Sequence, residues 1–235
     1  VGQKHMPARM SLLYDVPLVF YGEQPSEYGT PKEDSLTAEL DQEHLTIERD
    51  KDIYLSGVSV ESLKKDFGLD DNSLEPYMAA DPDQLQDLGT EIVCLGYYLP
   101  WHPQGNYYYA KEKGNFQPAP ERTAGTYSKY SGIDDKTDPF HFYTTFIKFG
   151  IGRATYDVSQ EIRNDHLSTE EGKKLIKKYD GEFPDRYFDE IMKYLGIKKD
   201  IFFKTIDKFR SPHLWKKQGK YWKLRHTVNK DGTND

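Results

Sequence analysis

Two cations around a glycine hinge are the first feature of this sequence that could do chemistry. Lys148 and Arg153 flank Gly150-Ile151-Gly152, where the backbone is free to bend. Held this way, a lysine and an arginine can grip an anion such as a phosphate or a sugar carboxylate. From Arg153 a helix is expected, because Ala154, Val158 and Ile162 recur at i, i+4 and i+8. Arg153, Asp157 and Glu161 form a second row, in which opposite charges four residues apart can meet. The same pattern fits exposed helices carrying a charge ladder, and periodicity leaves both readings open.

A second candidate site lies near the start. Val16 to Tyr21 is a short apolar run followed by Gly22 and Glu23, the pattern of a buried parallel strand whose carboxyl end opens onto a ligand. Glu23 and Glu27 could there hold a magnesium–phosphate complex or act as a base; the alternative is a strand with a polar turn. Thr90 to Leu99 is the other convincing strand, and it leads into Tyr97, Tyr98 and Trp101. Rings at a strand end could stack on a sugar or on adenine, or belong to the core. His102 lies beside them without a partner at metal-ligand spacing, which argues against a metal or catalytic role.

The elements that must position these groups are mostly helices. Met6, Met10, Leu13 and Tyr14 have helical spacing, weakened by Pro7. Short helices are expected over Ser59 to Phe67, over Pro82 to Leu88 behind an Asp81 cap, and over Asn106 to Lys113. Gly114 to Gly132 reads as a connector, followed by a helix from Asp138 to Phe149 that buries Phe142, Phe146 and Phe149. Ser168 and Glu171 make a capping box for a helix ending near Tyr179. Further helices run from Pro184 to Leu195 and Asp200 to Arg210, with Ile191, Leu195, Ile201, Ile206 and Phe209 as core. His213 to His226 interleaves aromatics with lysines and reads as a terminal hairpin turning at Gln218-Gly219. Residues 30 to 52 are acidic and poor in large apolar side chains, as in a loop or exposed helix inserted on the sheet.

Composition narrows the function classes. A net charge of -7 argues against general nucleic-acid binding. The single cysteine, Cys94, rules out an internal disulfide or a cysteine-cluster zinc site, and its apolar neighbours suggest a buried position. A mean hydropathy of -0.84 is polar, but 14% aromatic residues speak for a packed fold. No stretch reaches the length of a membrane span and no signal-peptide pattern is seen, so a cytoplasmic protein is the default.

Several words of the sequence resemble the N-acetyl sugar amidotransferases, ATP-pyrophosphatase-type (PP-loop) enzymes of bacterial surface-sugar biosynthesis. They are K-F-G-x-G-R-A-T (Lys148 to Thr155), E-I-R-N (Glu161 to Asn164) and K-K-Y-D-G (Lys177 to Gly181). Y-G-E-Q-P-S-E-Y-G (Tyr21 to Gly29) and L-G-Y-Y-L-P-W (Leu95 to Trp101) stand further back in the same order. The resemblance implies an α/β fold: part of a Rossmann-like parallel sheet over residues 1–115, with an acidic insertion at about 30–90, then a helical substrate-side region over 116–235. It also implies conversion of a sugar's N-acetyl group to an acetamidino group. ATP adenylates the amide oxygen, and ammonia from a glutaminase partner displaces AMP.

Carried over, Gly22, Glu23, Lys148 and Arg153 are the nucleotide and pyrophosphate candidates, with Glu23 also the Mg candidate. Tyr97, Tyr98, Trp101 and Arg163 are the sugar candidates. The family's phosphate loop, Ser-Gly-Gly-x-Asp-Ser, is absent from this chain, as are the cysteine pairs for which the resemblance implies a zinc on the amino-terminal part. The chain begins at Val1 and reads as a fragment, expected neither to bind ATP tightly nor to turn over alone. Where the family commonly has a glycine before the histidine, Asp165 precedes His166. A non-catalytic module of the same fold and a tRNA-modifying PP-loop enzyme are the rivals.

Overall fold

The computed structural model describes residues 2–22, 38, 53–55 and 57–228. Glu23, Glu27 and nearly all of the acidic stretch lie outside the described residues. The chain divides into two compact units, Val1–Trp101 and His102–Asp235, and its class is mixed α/β.

In the first unit, α1 (Gly2–Tyr14) leads through Asp15 into β1 (Leu18–Tyr21). After a small antiparallel pair, β2 (Tyr54–Leu55) with β3 (Val58–Ser59), come α2 (Val60–Phe67), α3 (Asp71–Leu74) and α4 (Pro82–Leu88). Asp81 caps α4 as the sequence suggested, accepting from Asp83 N, and the Ser59 hydroxyl caps α2 by accepting from Ser62 N. β4 (Glu91–Cys94) then returns parallel to β1, Leu18 opposite Glu91 through Tyr21 opposite Cys94. Ala8, Ala80, Leu85 and Ile92 form the core, with Leu12, Val19 and Tyr21 against it. Cys94 is buried, as expected.

Two expectations need correction here. The strand predicted over Thr90 to Leu99 stops at Cys94, and α5 (Leu95–Tyr98) follows at once. The ladder ends where Tyr21 faces Cys94; beyond Cys94 the backbone closes on itself, with Leu99 N donating to Leu95 O at 3.0 Å. β1 itself is covered on one face only: Leu18 and Phe20 are about half exposed, while Val19 and Tyr21 meet the core.

The second unit comprises α6 (Pro103–Gly114), α7 (Asp138–Phe149), α8 (Arg153–Arg163), α9 (Thr169–Tyr179), α10 (Phe188–Leu195), α11 (Lys199–Asp207) and the antiparallel hairpin β5 (Trp215–Gln218) and β6 (Tyr221–Leu224). Its core is an aromatic lattice of Phe140, Phe188 and Phe202 with Ile147, Ile191, Met192 and Ile206. Each such side chain contributes about 1.5–3 kcal/mol on burial. Trp215 anchors the hairpin to this core, edge-on to Phe146 and with its indole N–H donating to Ile147 O at 2.8 Å.

The capping box of α9 forms as read, Ser168 and Glu171 each accepting the other's backbone N–H. The apolar stripes are less faithful. Phe149, Leu195, Ile201 and Phe209, expected in the core, are exposed. α7 turns Phe140, Tyr143 and Ile147 to the core, and α11 turns Phe202 and Ile206. In helices this rich in apolar residues, more than one i, i+4 stripe is available and tertiary packing chooses.

Candidate functional site

The hinge between α7 and α8 is built by glycines doing different jobs. Gly150 ends α7 with φ +75°, its N–H donating to Phe146 O at 2.9 Å. Gly152 is extended, and a Cβ there would sit 2.7 Å from the Asp180 carboxylate. That carboxylate caps α8 from a distant part of the chain. Gly152 N donates to Asp180 Oδ2 at 3.0 Å, Thr155 N donates to Oδ1 at 3.0 Å, and the Thr155 hydroxyl also donates to Oδ2. The helix amino terminus that favours an anion therefore holds one supplied by the K-K-Y-D-G word.

The next two residues of that segment continue the fastening. Gly181 has φ +77°, and a Cβ there would lie 2.4 Å from the Phe146 ring. Glu182 takes a bidentate bond from Arg122 (2.6 and 2.5 Å) and a third from Gly125 N (2.9 Å). The Arg122 hydrogen bond holds the Glu182 carboxyl below the usual carboxylate range; burial works against it. The connector from 115 to 137 is thus pinned against the helices, with Thr123, Gly125, Thr126 and Ser128 buried.

Arg153 opens α8 half buried. Its Nε donates to Asp157 Oδ1 at 2.8 Å and its Nη2 to Ser131 Oγ at 3.3 Å. The guanidinium lies 5.1 Å from both the Phe142 and the Tyr156 ring centroids. Asp157 accepts also from the Thr126 hydroxyl at 2.5 Å. Burial pushes its carboxyl above the ordinary range, opposed by Arg153 and Thr126. The row Arg153, Asp157, Glu161 is therefore a buried face and not a solvated ladder: Asp157 and Glu161 are under 10% exposed.

Two phenols of the connector complete this polar layer. Burial, reinforced by the charges of Asp157 and Glu161, raises the Tyr127 hydroxyl; among the described residues it has no hydrogen-bond partner. Tyr130 is pushed up to about 12, again chiefly by burial, and its ring stacks on Tyr107 at 4.5 Å. Past the end of α8, His166 Nδ1 meets Glu161 Oε2 at 2.5 Å. The His166 ring also lies edge-on to His102, 4.4 Å away. His102 Nδ1 in turn accepts the Gly105 N–H at 2.9 Å and caps α6.

The residues singled out from sequence are distributed as follows. Gly22 is exposed directly after β1. Tyr97 and Tyr98 are about half exposed on α5, with Tyr98 edge-on to Phe20, and Trp101 is exposed beyond them. These four belong to the first unit. Lys148, Arg153 and Arg163 belong to the second. Lys148 is exposed with its ammonium over the Phe149 ring, and Arg163 is exposed at the end of α8. Lys148 and Arg153 thus engage different partners. Sequence reasoning passed over His166, Tyr127, Tyr130, Asp180 and Glu182, and it set His102 aside. Among the described residues no cluster of three His, Cys, Asp or Glu side chains is arranged for a metal ion, and no helix is long and apolar enough to cross a membrane.

Residues 124–229 match the model of a known family, described as LPS biosynthesis protein WbpG-like, C-terminal domain. This stretch is similar to a lipopolysaccharide-biosynthesis domain. The WbpG-like span takes in the connector from residue 124 on, α7 to α11 and the hairpin, and with them the K-F-G-x-G-R-A-T, E-I-R-N and K-K-Y-D-G words. No curated protein matches the chain.

Proposed function

We propose that this chain is part of an ATP-dependent amidotransferase that converts the N-acetyl group of a bacterial surface sugar to an acetamidino group. The carrying observation is the match of residues 124–229 to a lipopolysaccharide-biosynthesis domain, over the stretch that holds the three amidotransferase-like words. An amide oxygen is a poor leaving group, and adenylation makes it a good one. Ammonia, supplied by a glutaminase partner, then displaces AMP.

The parallel pairing of β1 and β4 supports a PP-loop, Rossmann-type sheet, in which nucleotides sit beyond strand carboxyl ends. Gly22 stands at such an end, and Glu23 follows it as the candidate for Mg. Lys148 suits a phosphate, since among the described residues no carboxylate pairs its ammonium. Arg153, with Nε and Nη2 engaged, suits one through Nη1. Arg163, Tyr97, Tyr98 and Trp101 remain the sugar candidates, the rings exposed enough to stack. ATP with Mg would supply the activating adenylyl group in the complete protein, where zinc would belong to the amino-terminal part.

The test is AMP release by the complete protein given ATP, Mg, ammonium and a panel of N-acetylated nucleotide sugars and nonulosonic acids. AMP formed only with ammonium and one sugar class supports the reading. No AMP with any member would favour a non-catalytic module, and AMP formed only with tRNA a tRNA-modifying enzyme.

A further inference from the structure

One pair of side chains in the second unit has the geometry of a proton-transfer device and no evident duty in holding the fold. The Glu161 side chain is 8% exposed and the His166 side chain 25%, so a buried carboxylate carries an imidazole that reaches solvent. With Nδ1 donating to the Glu161 carboxylate, a neutral His166 keeps its lone pair on Nε2. Among the described residues no other hydrogen bond reaches that ring. The end of α8 does not need the contact. Asn164 N to Gln160 O (3.0 Å), Asp165 N to Ile162 O (3.1 Å) and His166 N to Glu161 O (2.8 Å) already close the final turn. Base and orienting carboxylate are the second and third parts of the arrangement that catalytic triads use. The titratable and charged groups around the pair are Asp157 and Arg153 on the same helix, Tyr127 and Tyr130 from the connector, and His102 at the start of α6. His102 accepts the Gly105 N–H through Nδ1 and so carries its own proton on Nε2.

Resting on the amidotransferase reading above, we infer that His166, oriented by Glu161, is the general base of the ammonia step. The ammonia nitrogen forms a bond to the adenylated acetyl carbon while the bond from that carbon to the AMP oxygen breaks, AMP leaving with the electron pair. The attacking nitrogen, then positively charged, gives one proton to His166 Nε2 and leaves a neutral amidine. The imidazolium returns that proton to solvent. Glu161 is a positioning residue that also stabilises the imidazolium.

His166→Asn separates this role from a structural one, because the asparagine amide can donate to Glu161 from the Nδ1 position but has no base at Nε2. In the complete protein, with saturating ATP and ammonium, H166N is expected to lower the rate of AMP release about 10²–10⁴-fold. Its melting temperature should be unchanged. Glu161→Gln should lower kcat and leave the KM for sugar near wild type. If H166N does not fold, His166→Ala with added imidazole decides: recovered rate supports the role, and no recovery overturns it. An active wild type with a folded, fully active H166N overturns this inference alone. A wild type that releases no AMP with any sugar overturns the amidotransferase reading and this inference with it.

Discussion

Replacing Asp180 by alanine removes the cap of α8 without touching the helix itself. The carboxylate serves three donors, at Gly152 N, Thr155 N and the Thr155 hydroxyl. Gly152 is buried, so its N–H would be left without water, at a cost of ~1–3 kcal/mol. Thr155 is half buried, and its two groups recover most of their bonding from solvent, at a cost of ~0.5–1 kcal/mol, within the range of lost N-caps. The sum is ~1.5–4 kcal/mol, which for a chain of this length lowers the melting temperature by ~3–16 °C. Asp180→Asn should fall between, because its carbonyl oxygen can still serve Thr155 N while its NH₂ faces the Gly152 donor. Urea and thermal unfolding followed by tryptophan fluorescence measure this, since Trp215 is buried against Phe146 in the same unit. A D180A variant that melts within about 1 °C of wild type would refute the cap and the reasoning built on it.

Three further outcomes follow from the same geometry. Gly181→Ala places a Cβ 2.4 Å from the Phe146 ring at φ +77°, and should destabilise by ~2–4 kcal/mol in urea unfolding, left-handed strain and overpacking together. Asp165 has φ +58°, so Asp165→Gly should raise stability by ~0.5–1 kcal/mol. That is what remains of a ~1–2 kcal/mol steric cost after the freer unfolded chain takes back ~0.4–1 kcal/mol. Carboxyl-carbon NMR should show Glu182 titrating below the ordinary range and Asp157 above it. Glu182's stabilisation is present above its unfolded pKa and lost as pH falls through the depressed folded one. Asp157 has the opposite sign: its contribution is fully present below the unfolded pKa and is lost as pH rises through the raised folded one.

Local chemistry was legible wherever one short segment decides the outcome. The Ser168–Glu171 box, the Asp81 and Ser59 starts, the start of α8 at Arg153 and the hairpin turn after Gln218 all depend on residues within a few positions of each other. The Arg153–Asp157 pair was likewise visible as an i, i+4 spacing. What could not be seen was which polar residues are buried. Asp157 is buried under the 115–137 connector, whose Thr126 hydroxyl bonds it, a contact with no local signature. Asp180 and Glu182 find their partners 25 to 60 residues away, so only the resemblance drew attention to the Y-D-G word. The resemblance also noted a glycine where this chain has Asp165, and the positive φ there gives the physical reason: the position asks for a left-handed backbone. His102 was set aside for want of a sequence neighbour, but its ring partner, His166, is 64 positions on.

The most direct test of the proposed activity is to follow the oxygen of the N-acetyl group. The complete protein would be given ATP, Mg, ¹⁵N-ammonium and a sugar substrate labelled with ¹⁸O in its acetyl carbonyl, and both products read by mass spectrometry. Adenylation of the amide oxygen predicts one ¹⁸O in the phosphoryl group of AMP and one ¹⁵N in the sugar product for every turnover. AMP free of ¹⁸O, or a sugar that keeps its labelled oxygen, would contradict it.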